Sequence, residues 1–417
     1  MYIPGDILIA TILPLSGKWN HQADIHACGG INTDGNEVIA EAFVFAVQTI
    51  QQRYSSFAFN GTFGALVFDA CYDRSRALQV ISNFESCRYK FASEPNYWAP
   101  SPLIVPSYIT TSVSQGKVQV ADAIRSFDKY SLDVSDSGRI SQEDNVIFDP
   151  TLYDYGALVT FVGNLNWTNV GLLTSVGLHT FDKTRLFEAA WAKNICISFN
   201  YTLSEKANEF SLMLNKVRDS EVTAVLVFMT SRDVATFFKE LTSRQIFKTI
   251  IVVESREQWI DMNTVAVPLG TVIFQMKQKQ NEAFQKHVSE LLLKNDPSFQ
   301  DSPNIWLSRY ALHQDFETIK RKFRDPVMSM KASDVIRAVD MQLHALRSAV
   351  TDTCGDSGTL CPEFETQIAN ARNVLADIEF TYTGQSTRMS SNVTRLGSYT
   401  ITNLQVTGLV EVSTFVW

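Results

Sequence analysis

Residues 6–13, Asp-Ile-Leu-Ile-Ala-Thr-Ile-Leu, form an almost unbroken apolar run, and a stretch at helical spacing follows over 36–53. A strand that is apolar on both faces needs cover on both sides, which a parallel sheet flanked by helices supplies. Within 36–53, Val38, Ile39, Ala42, Phe43, Phe45, Ala46 and Ile50 fall on one broad face. The pattern continues with a strand at 63–69, a helix at 74–84, a short strand at 103–106, a helix at 115–127 and an extended run at 145–148. It restarts at Asn166, with strands expected at 170–173, 195–201, 223–229, 249–253 and 269–275 and helices at 184–193, 209–218, 231–244 and 281–293. A long helix at 333–351, a helix at 367–378 and closing strands at 380–383, 397–405 and 409–415 complete the pattern. Segments 85–102 and 294–332 are poorly periodic and read as long surface loops.

Two wound segments in succession predict two α/β lobes, each a three-layer sandwich with right-handed crossovers. A length of 417 residues suits this, since it exceeds what one core usually serves. The net charge of -8 is mild and gives no basic face, which disfavours nucleic acid and anionic membrane as partners. No run of 18 apolar residues occurs, so no bilayer span is expected. Met-Tyr-Ile-Pro-Gly-Asp lacks the basic and apolar regions of a signal peptide and reads as a mature N-terminus with an added Met. The six cysteines and four Asn-x-Thr sequons, at Asn60, Asn166, Asn200 and Asn392, favour a secreted or ectodomain origin. The four asparagines are therefore candidate glycosylation sites. Six cysteines allow fifteen pairings, and spacing alone does not choose among them.

Enzyme signatures are absent. Gly355-Asp-Ser-Gly358 matches part of a serine-protease nucleophile segment, but it sits between Cys354 and Cys361 without the rest of that motif. There is no Gly-x-Ser-x-Gly, no phosphate loop and no His-Glu-x-x-His. No cysteine pair has zinc-site spacing with histidines nearby. Asp133 and Asp136 are of a kind that binds calcium in some loops and is simply solvated in most. No enzymatic activity, resident metal or cofactor is expected.

Several marks lie in order along the chain: Gly5-Asp-Ile-Leu-Ile, Cys28-Gly, Glu41-Ala-Phe, Phe68-Asp-Ala-Cys71, Phe127-Asp128, Asn166-Trp-Thr, Cys196-Ile, the Cys354/Cys361 pair and Ile401-Thr-Asn-Leu-Gln. In these the chain resembles the ligand-binding ectodomain of class C G-protein-coupled receptors, most of all the metabotropic glutamate and calcium-sensing receptors. The resemblance implies a bilobed Venus flytrap, like type I periplasmic binding proteins, with two three-layer α/β/α lobes joined by crossing hinge strands and ligand in the cleft. Lobe 1 would comprise residues 1–149 and 275–402, and lobe 2 residues 150–274 and 403–417. The resemblance also implies intralobe bridges Cys28–Cys71 and Cys354–Cys361, and an interchain bridge at Cys87. Cys196 matches the cysteine that relatives join to a downstream cysteine-rich domain; the alternative is that Cys87 and Cys196 pair with each other or stay free.

In that family lobe 1 holds the carboxylate and ammonium of an amino acid. Hydroxyls and unpaired backbone N–H groups at a helix N-terminus suit an anion. Thr110-Thr-Ser-Val-Ser114-Gln precedes the helical run, and the resemblance puts Ser114 on the carboxylate-binding serine; the same string is also an ordinary N-cap cluster. It likewise puts Ser135 and Ser137 on the segment that binds both backbone groups, although Ser-Asp-Ser-Gly is a turn signal too. In lobe 2, Thr151 stands where relatives carry an ammonium-contacting aspartate, with Asp149 and Asp154 beside it. His179 stands where glutamate receptors have a covering tyrosine, its bland alternative being a surface histidine. Glu254 matches, within one residue, an acid that suits an ammonium group. Ile39 and Glu365 occupy the positions where glutamate receptors use cations, so a distal carboxylate would be unpaired and glutamate is disfavoured.

The expected function is an extracellular ligand-sensing domain that binds a neutral or basic amino acid or an amine and signals by lobe closure within a homo- or heterodimer. The helix ending at Phe127 matches the family's dimer-facing element, and cysteine-rich and transmembrane domains would follow in the full-length receptor. The alternatives are a non-sensing dimerisation module or subunit of the same fold, and a natriuretic-type guanylyl cyclase ectodomain.

Overall fold

The computed structural model describes residues 1–17, 28–30, 36–53, 62–71, 73–86, 105–110, 117–127, 129–134, 146–147, 155–176, 183–203, 209–253, 267–276, 281–293, 316–324, 326–355, 361–364, 379–382, 385–388, 398–405 and 408–416. Along the chain come β1 (Tyr2–Ile3), β2 (Ile7–Leu13), α1 (Asn36–Arg53), β3 (Phe63–Asp69), α2 (Arg74–Glu85), β4 (Ser107–Thr110), α3 (Lys117–Arg125), β5 (Tyr130–Asp133) and β6 (Val146–Ile147). Next come α4 (Tyr155–Asn164), β7 (Asn169–Ser175), α5 (Lys183–Ala192), β8 (Cys196–Leu203), α6 (Glu209–Asp219), β9 (Ala224–Phe228), α7 (Ser231–Ser243), β10 (Thr249–Val253) and β11 (Val272–Met276). The last are α8 (Glu282–Leu293), α9 (Phe316–Phe323), α10 (Pro326–Cys354), β12 (Glu379–Tyr382), β13 (Gln385–Arg388), β14 (Ser398–Gln405) and β15 (Gly408–Val416).

Two compact units result. One comprises Met1–Ser135, Arg139–Pro150 and Lys279–Thr394; the other comprises Asp136–Gly138, Thr151–Gln278 and Arg395–Trp417. The division expected from sequence put residues 275–402 with lobe 1, whereas β11 and β14 run together in the second sheet.

The sheet of the first unit has the order β1-β3-β2-β4-β5-β6. From β2 onward its strands are parallel, in the register Ile7↔Phe63 through Leu13↔Asp69 between β2 and β3. Every residue of β2 is buried, as its apolar run requires. On one face lie α1, α8 and α10, whose Phe43, Phe284, Val335, Ile336 and Val339 share a core with Ile7 and Ile9. On the other face α2 and α3 contribute Val80, Ile81, Val120 and Ile124 around Leu8, Ala10 and Tyr108. Two glycines permit a close backbone approach at the start of this sheet: a Cβ on Gly5 would lie 2.1 Å from the Gly64 nitrogen. Beside them the Thr62 N–H donates to the Asp6 carboxylate at 2.6 Å.

The second sheet has the order β15-β14-β11-β10-β9-β7-β8. Strands β7 to β11 are parallel and β14 and β15 are antiparallel additions. Helices α4 and α5 cover one face through Leu158, Val162 and Leu186, and α6 and α7 cover the other through Met213, Val217, Phe237 and Phe238. The pairing of β7 with β8 shifts after Val170, so Ser198 is an extra residue and the side chains beyond it change face. Ile197 packs with the α4/α5 side, and Phe199 and Tyr201 with the α6/α7 side. Three helices of this unit end on a left-handed residue: Asn166 (φ 56°) after α4, Asn194 (φ 56°) after α5 and Gln245 (φ 54°) after α7. In each, the next N–H reaches back into the last turn, from Trp167 to Val162 O, Ile195 to Ala190 O and Ile246 to Leu241 O.

Some sequence expectations need correction. The strand expected at 103–106 lies at Ser107–Thr110, just past Pro106, whose missing N–H cannot serve a ladder. Helix α4 and strand β5 were not foreseen; Tyr-Gly-Ala-Leu-Val-Thr-Phe-Val-Gly-Asn is apolar nearly all round and shows no clean period. Within 294–332, read as loop, lie α9 and the first turns of α10. The helix expected at 367–378 lies outside the described residues.

Candidate functional site

In an open parallel sheet, ligands bind outside the carboxyl ends of the strands where the strand order reverses. In the first sheet β3 and β4 flank β2, so the reversal lies between β2 and β4, beyond Leu13 and Thr110. In the second sheet β8 and β9 flank β7, so it lies between β7 and β9, beyond Ser175 and Phe228.

The candidate ligand contacts Ser114, Ser135, Ser137, Thr151, His179 and Glu254 all lie outside the described residues, as do Cys87, Asn60, Asn392 and Glu365. Chain order still fixes which elements they connect. Ser114 lies between the end of β4 at Thr110 and the start of α3 at Lys117. Ser135 and Ser137 follow β5, Thr151 lies between β6 and α4, His179 lies between β7 and α5, and Glu254 directly follows Val253 of β10.

The described part of the first carboxyl edge is organised by a residue that sequence reasoning did not single out. Asp69 closes β3, and its Oδ1 accepts from the N–H groups of Leu15 at 3.0 Å, Ser16 at 3.1 Å and Cys71 at 2.9 Å. The Ser16 hydroxyl donates to Oδ2. One carboxylate thus holds the loop leaving β2 against the end of β3. The Cys28–Cys71 disulfide, with Cα atoms 5.3 Å apart, ties the same place covalently. Gly17 N–H donates to Gly30 O at 2.7 Å, and the Asn36 amide donates to Pro14 O at 3.1 Å, fixing the approach to α1. Cys28, Asp69 and Cys71 cluster closely enough to suggest a metal. Both sulfurs are committed to the disulfide and the carboxylate to four donors, so this cluster offers no thiolate ligand. The second bridge, Cys354–Cys361, also forms, with Cα atoms 5.5 Å apart. Cys196 is exposed and outside any disulfide.

At the second carboxyl edge, the Thr230 N–H donates to Ser175 Oγ at 2.9 Å. Thr230 is also the N-cap of α7, its hydroxyl accepting from Asp233 N–H at 3.3 Å. The N-terminus of α7 therefore stands at the strand-order reversal of this sheet.

The acids of α1 have structural partners. Buried Glu41 meets His287 Nε2 of α8 at 2.8 Å, and buried Glu37 meets Lys322 of α9 at 3.4 Å. The Glu41-Ala-Phe mark is thus accounted for by packing between helices. Ile39 is buried in the apolar core beside them. Across the sheet, the fully buried Tyr108 donates its hydroxyl to Glu85 at the end of α2. Burial raises the Glu85 carboxyl above its ordinary value, although Tyr108 and Lys129 pull it back. Burial, and then the Glu85 charge, push Tyr108 well above the usual phenol range. Among the described residues no helix is long and apolar enough to cross a membrane.

The sequence matches the family described as "Receptor family ligand binding region" over residues 38–407. It is 20% identical over 384 residues to "G-protein coupled receptor family C group 6 member A" of Carassius auratus, an alignment covering 84% of this chain and 43% of that protein. The chain therefore spans less than half the length of that relative. Two helix-flanked sheets in two units are the bilobed fold of type I periplasmic binding proteins, which the matched family shares.

Proposed function

Given that the chain belongs to the receptor family ligand binding region, we propose that it is the extracellular ligand-sensing part of a class C G-protein-coupled receptor. It takes a small amino-acid-like ligand other than glutamate in the cleft between its lobes. The observation that carries this reading is the course of the chain at the first strand-order reversal. The segment from Thr110 to Lys117, with hydroxyls at Thr111, Ser112 and Ser114, leaves β4 there and enters α3. Hydroxyls and early helical N–H groups suit a carboxylate. Ser135 and Ser137 follow the neighbouring strand β5, and Glu254 follows β10 in the other unit with a charge suited to an ammonium group. Thr151 and His179 complete the candidate set. The buried Ile39 argues against a cation for a distal carboxylate.

Binding shifts the lobes toward closure because the ligand contacts both, and closure is read out within a dimer. Helix α3 is the proposed dimer face and Cys87 the proposed interchain bridge. The relative's printed name as a receptor supports an extracellular position.

Thermal denaturation against a panel of L-amino acids and amines tests the reading. A ligand at 100 times its Kd stabilises by about 2.7 kcal/mol, so saturable upward shifts are expected with neutral or basic amino acids and none with glutamate. Ser114→Ala and Glu254→Gln each abolish the shift while leaving the unliganded midpoint in place. No shift with any amino acid or amine, or shifts untouched by both substitutions, would overturn the proposal.

A further inference from the structure

The outer edge of the second sheet is β8, Cys-Ile-Ser-Phe-Asn-Tyr-Thr-Leu, which pairs with β7 and has no strand on its other side among the described residues. Open edges template association, and proteins blunt them with brevity, charge, proline or cover. The edges of the first sheet are two-residue strands, β1 and β6. The opposite edge of the second sheet, β15, carries Glu411. Among the described residues β8 has no charge, proline or covering strand, and its one edge irregularity is the extra residue Ser198 near its start. The strand is eight residues long and rich in β-branched and aromatic types. That composition marks an association-prone segment. Lys216 of α6 stands over the Tyr201 ring at 5.7 Å, but it is not part of the strand.

What β8 does carry is the sequon Asn200-Tyr201-Thr202. Beyond the extra residue Ser198, Asn200 pairs with Leu172 and Thr202 with Thr174, so the two share one face of the strand. Both are exposed. We propose that an N-linked oligosaccharide on Asn200 guards this edge and keeps the second unit from associating through it. The oligosaccharide comes from a polyprenyl-diphosphate donor. The Asn200 Nδ2 forms a bond to the sugar C1, the bond from C1 to the diphosphate oxygen breaks, and the amide loses a proton as the polyprenyl diphosphate leaves. The proposal rests on the extracellular reading above, because that donor acts in the secretory pathway.

The chain secreted from a eukaryotic host tests it. Peptide mapping after amidase release of glycans is expected to find Asn200 occupied, and Asn200→Gln to migrate one glycan lighter. In sizing experiments, both Asn200→Gln and the folded wild type after enzymatic deglycosylation show a several-fold larger associated fraction than the intact protein. Asn200→Lys also lacks the glycan but puts a charge on the edge, and it stays as monodisperse as wild type. Occupancy at Asn166 with none at Asn200 overturns the proposal and leaves the extracellular reading standing. No glycan at any of the four sequons also overturns the proposal, while the extracellular reading is decided by the ligand panel above. Equal association of Asn200→Gln and wild type, or of Asn200→Lys and Asn200→Gln, overturns the guarding role.

Discussion

The Thr230 N–H donates to Ser175 Oγ at 2.9 Å, which fastens the first residue of the α7 cap to the last residue of β7. Both strands at the reversal of the second sheet are thereby held in one arrangement. Ser175 is buried and Thr230 half-buried, so loss of the hydroxyl leaves a partly shielded backbone donor without its partner. Ser175→Ala is expected to cost about 1–2 kcal/mol in urea unfolding, seen as a lower midpoint at constant slope. An unchanged midpoint would show that the bond contributes nothing.

Tyr108 and Glu85 predict a pH dependence of defined sign. The folded Glu85 binds its proton more tightly than the unfolded one, since burial raises its pKa above 4.5. Its contribution is therefore fully present below pH 4.5 and is lost as pH climbs through the raised value. Glu85→Gln removes that loss, so its stability relative to wild type improves between acid and neutral pH. Tyr108→Phe deletes the donor that favours the carboxylate, raising the Glu85 pKa further and widening the window. Denaturation midpoints taken from pH 4 to pH 8, spanning that 4.5 reference, check both slopes.

His344 in α10 carries the opposite slope. Burial, and then the Arg347 charge, lower its pKa from 6.5. The neutral ring is the folded form, so its contribution is present above pH 6.5 and is lost as pH falls through the lowered value. His344→Gln flattens the acid limb of the stability profile; an unaltered limb would assign that acid sensitivity elsewhere.

The two disulfides close very different loops, 43 residues for Cys28–Cys71 and 7 for Cys354–Cys361. Chain entropy predicts losses of about 4 and about 2 kcal/mol when each pair is replaced by alanine. Guanidinium unfolding of the two double variants reads the difference. A larger loss for the short loop would show that local packing outweighs chain entropy.

Gly171 leaves room for the Phe199 ring, since a Cβ there would lie 2.2 Å from Phe199 Cζ. Gly171→Ala is expected to destabilise by about 1–3 kcal/mol through overpacking. Gly171→Ala combined with Phe199→Leu recovers part of that loss, a coupling that a double-mutant cycle measures.

Where a segment had one clear period, its sequence was enough to locate it. The 36–53 helix and the strands at 63–69 and 249–253 appear at those residues, because their apolar spacing matches one geometry and conflicts with the others. Helix α4 was hidden by uniform apolarity, and β5 by its brevity. At the first carboxyl edge, the mark Phe68-Asp-Ala-Cys71 was visible but the role of Asp69 was not. Two of its four partners are backbone N–H groups more than fifty residues earlier, and no side-chain pattern encodes those. Glu41 and His287 are likewise 246 residues apart in sequence. A pairing set by tertiary contact leaves no local periodicity to read.

Helix α10 supplies Val335, Ile336, Val339, Leu343 and Leu346 to the core that β2 and α1 begin. Between α1 and α10 the chain runs through all of β7 to β11. During synthesis, the amino-terminal sheet thus leaves the ribosome with this side covered by α1 alone, and the strands and helices of residues 151–278 follow before α8 and α10 complete it. Phe43 and its neighbours therefore stay only partly covered until the last third of the polypeptide is made, the interval in which apolar surface is most open to wrong contacts.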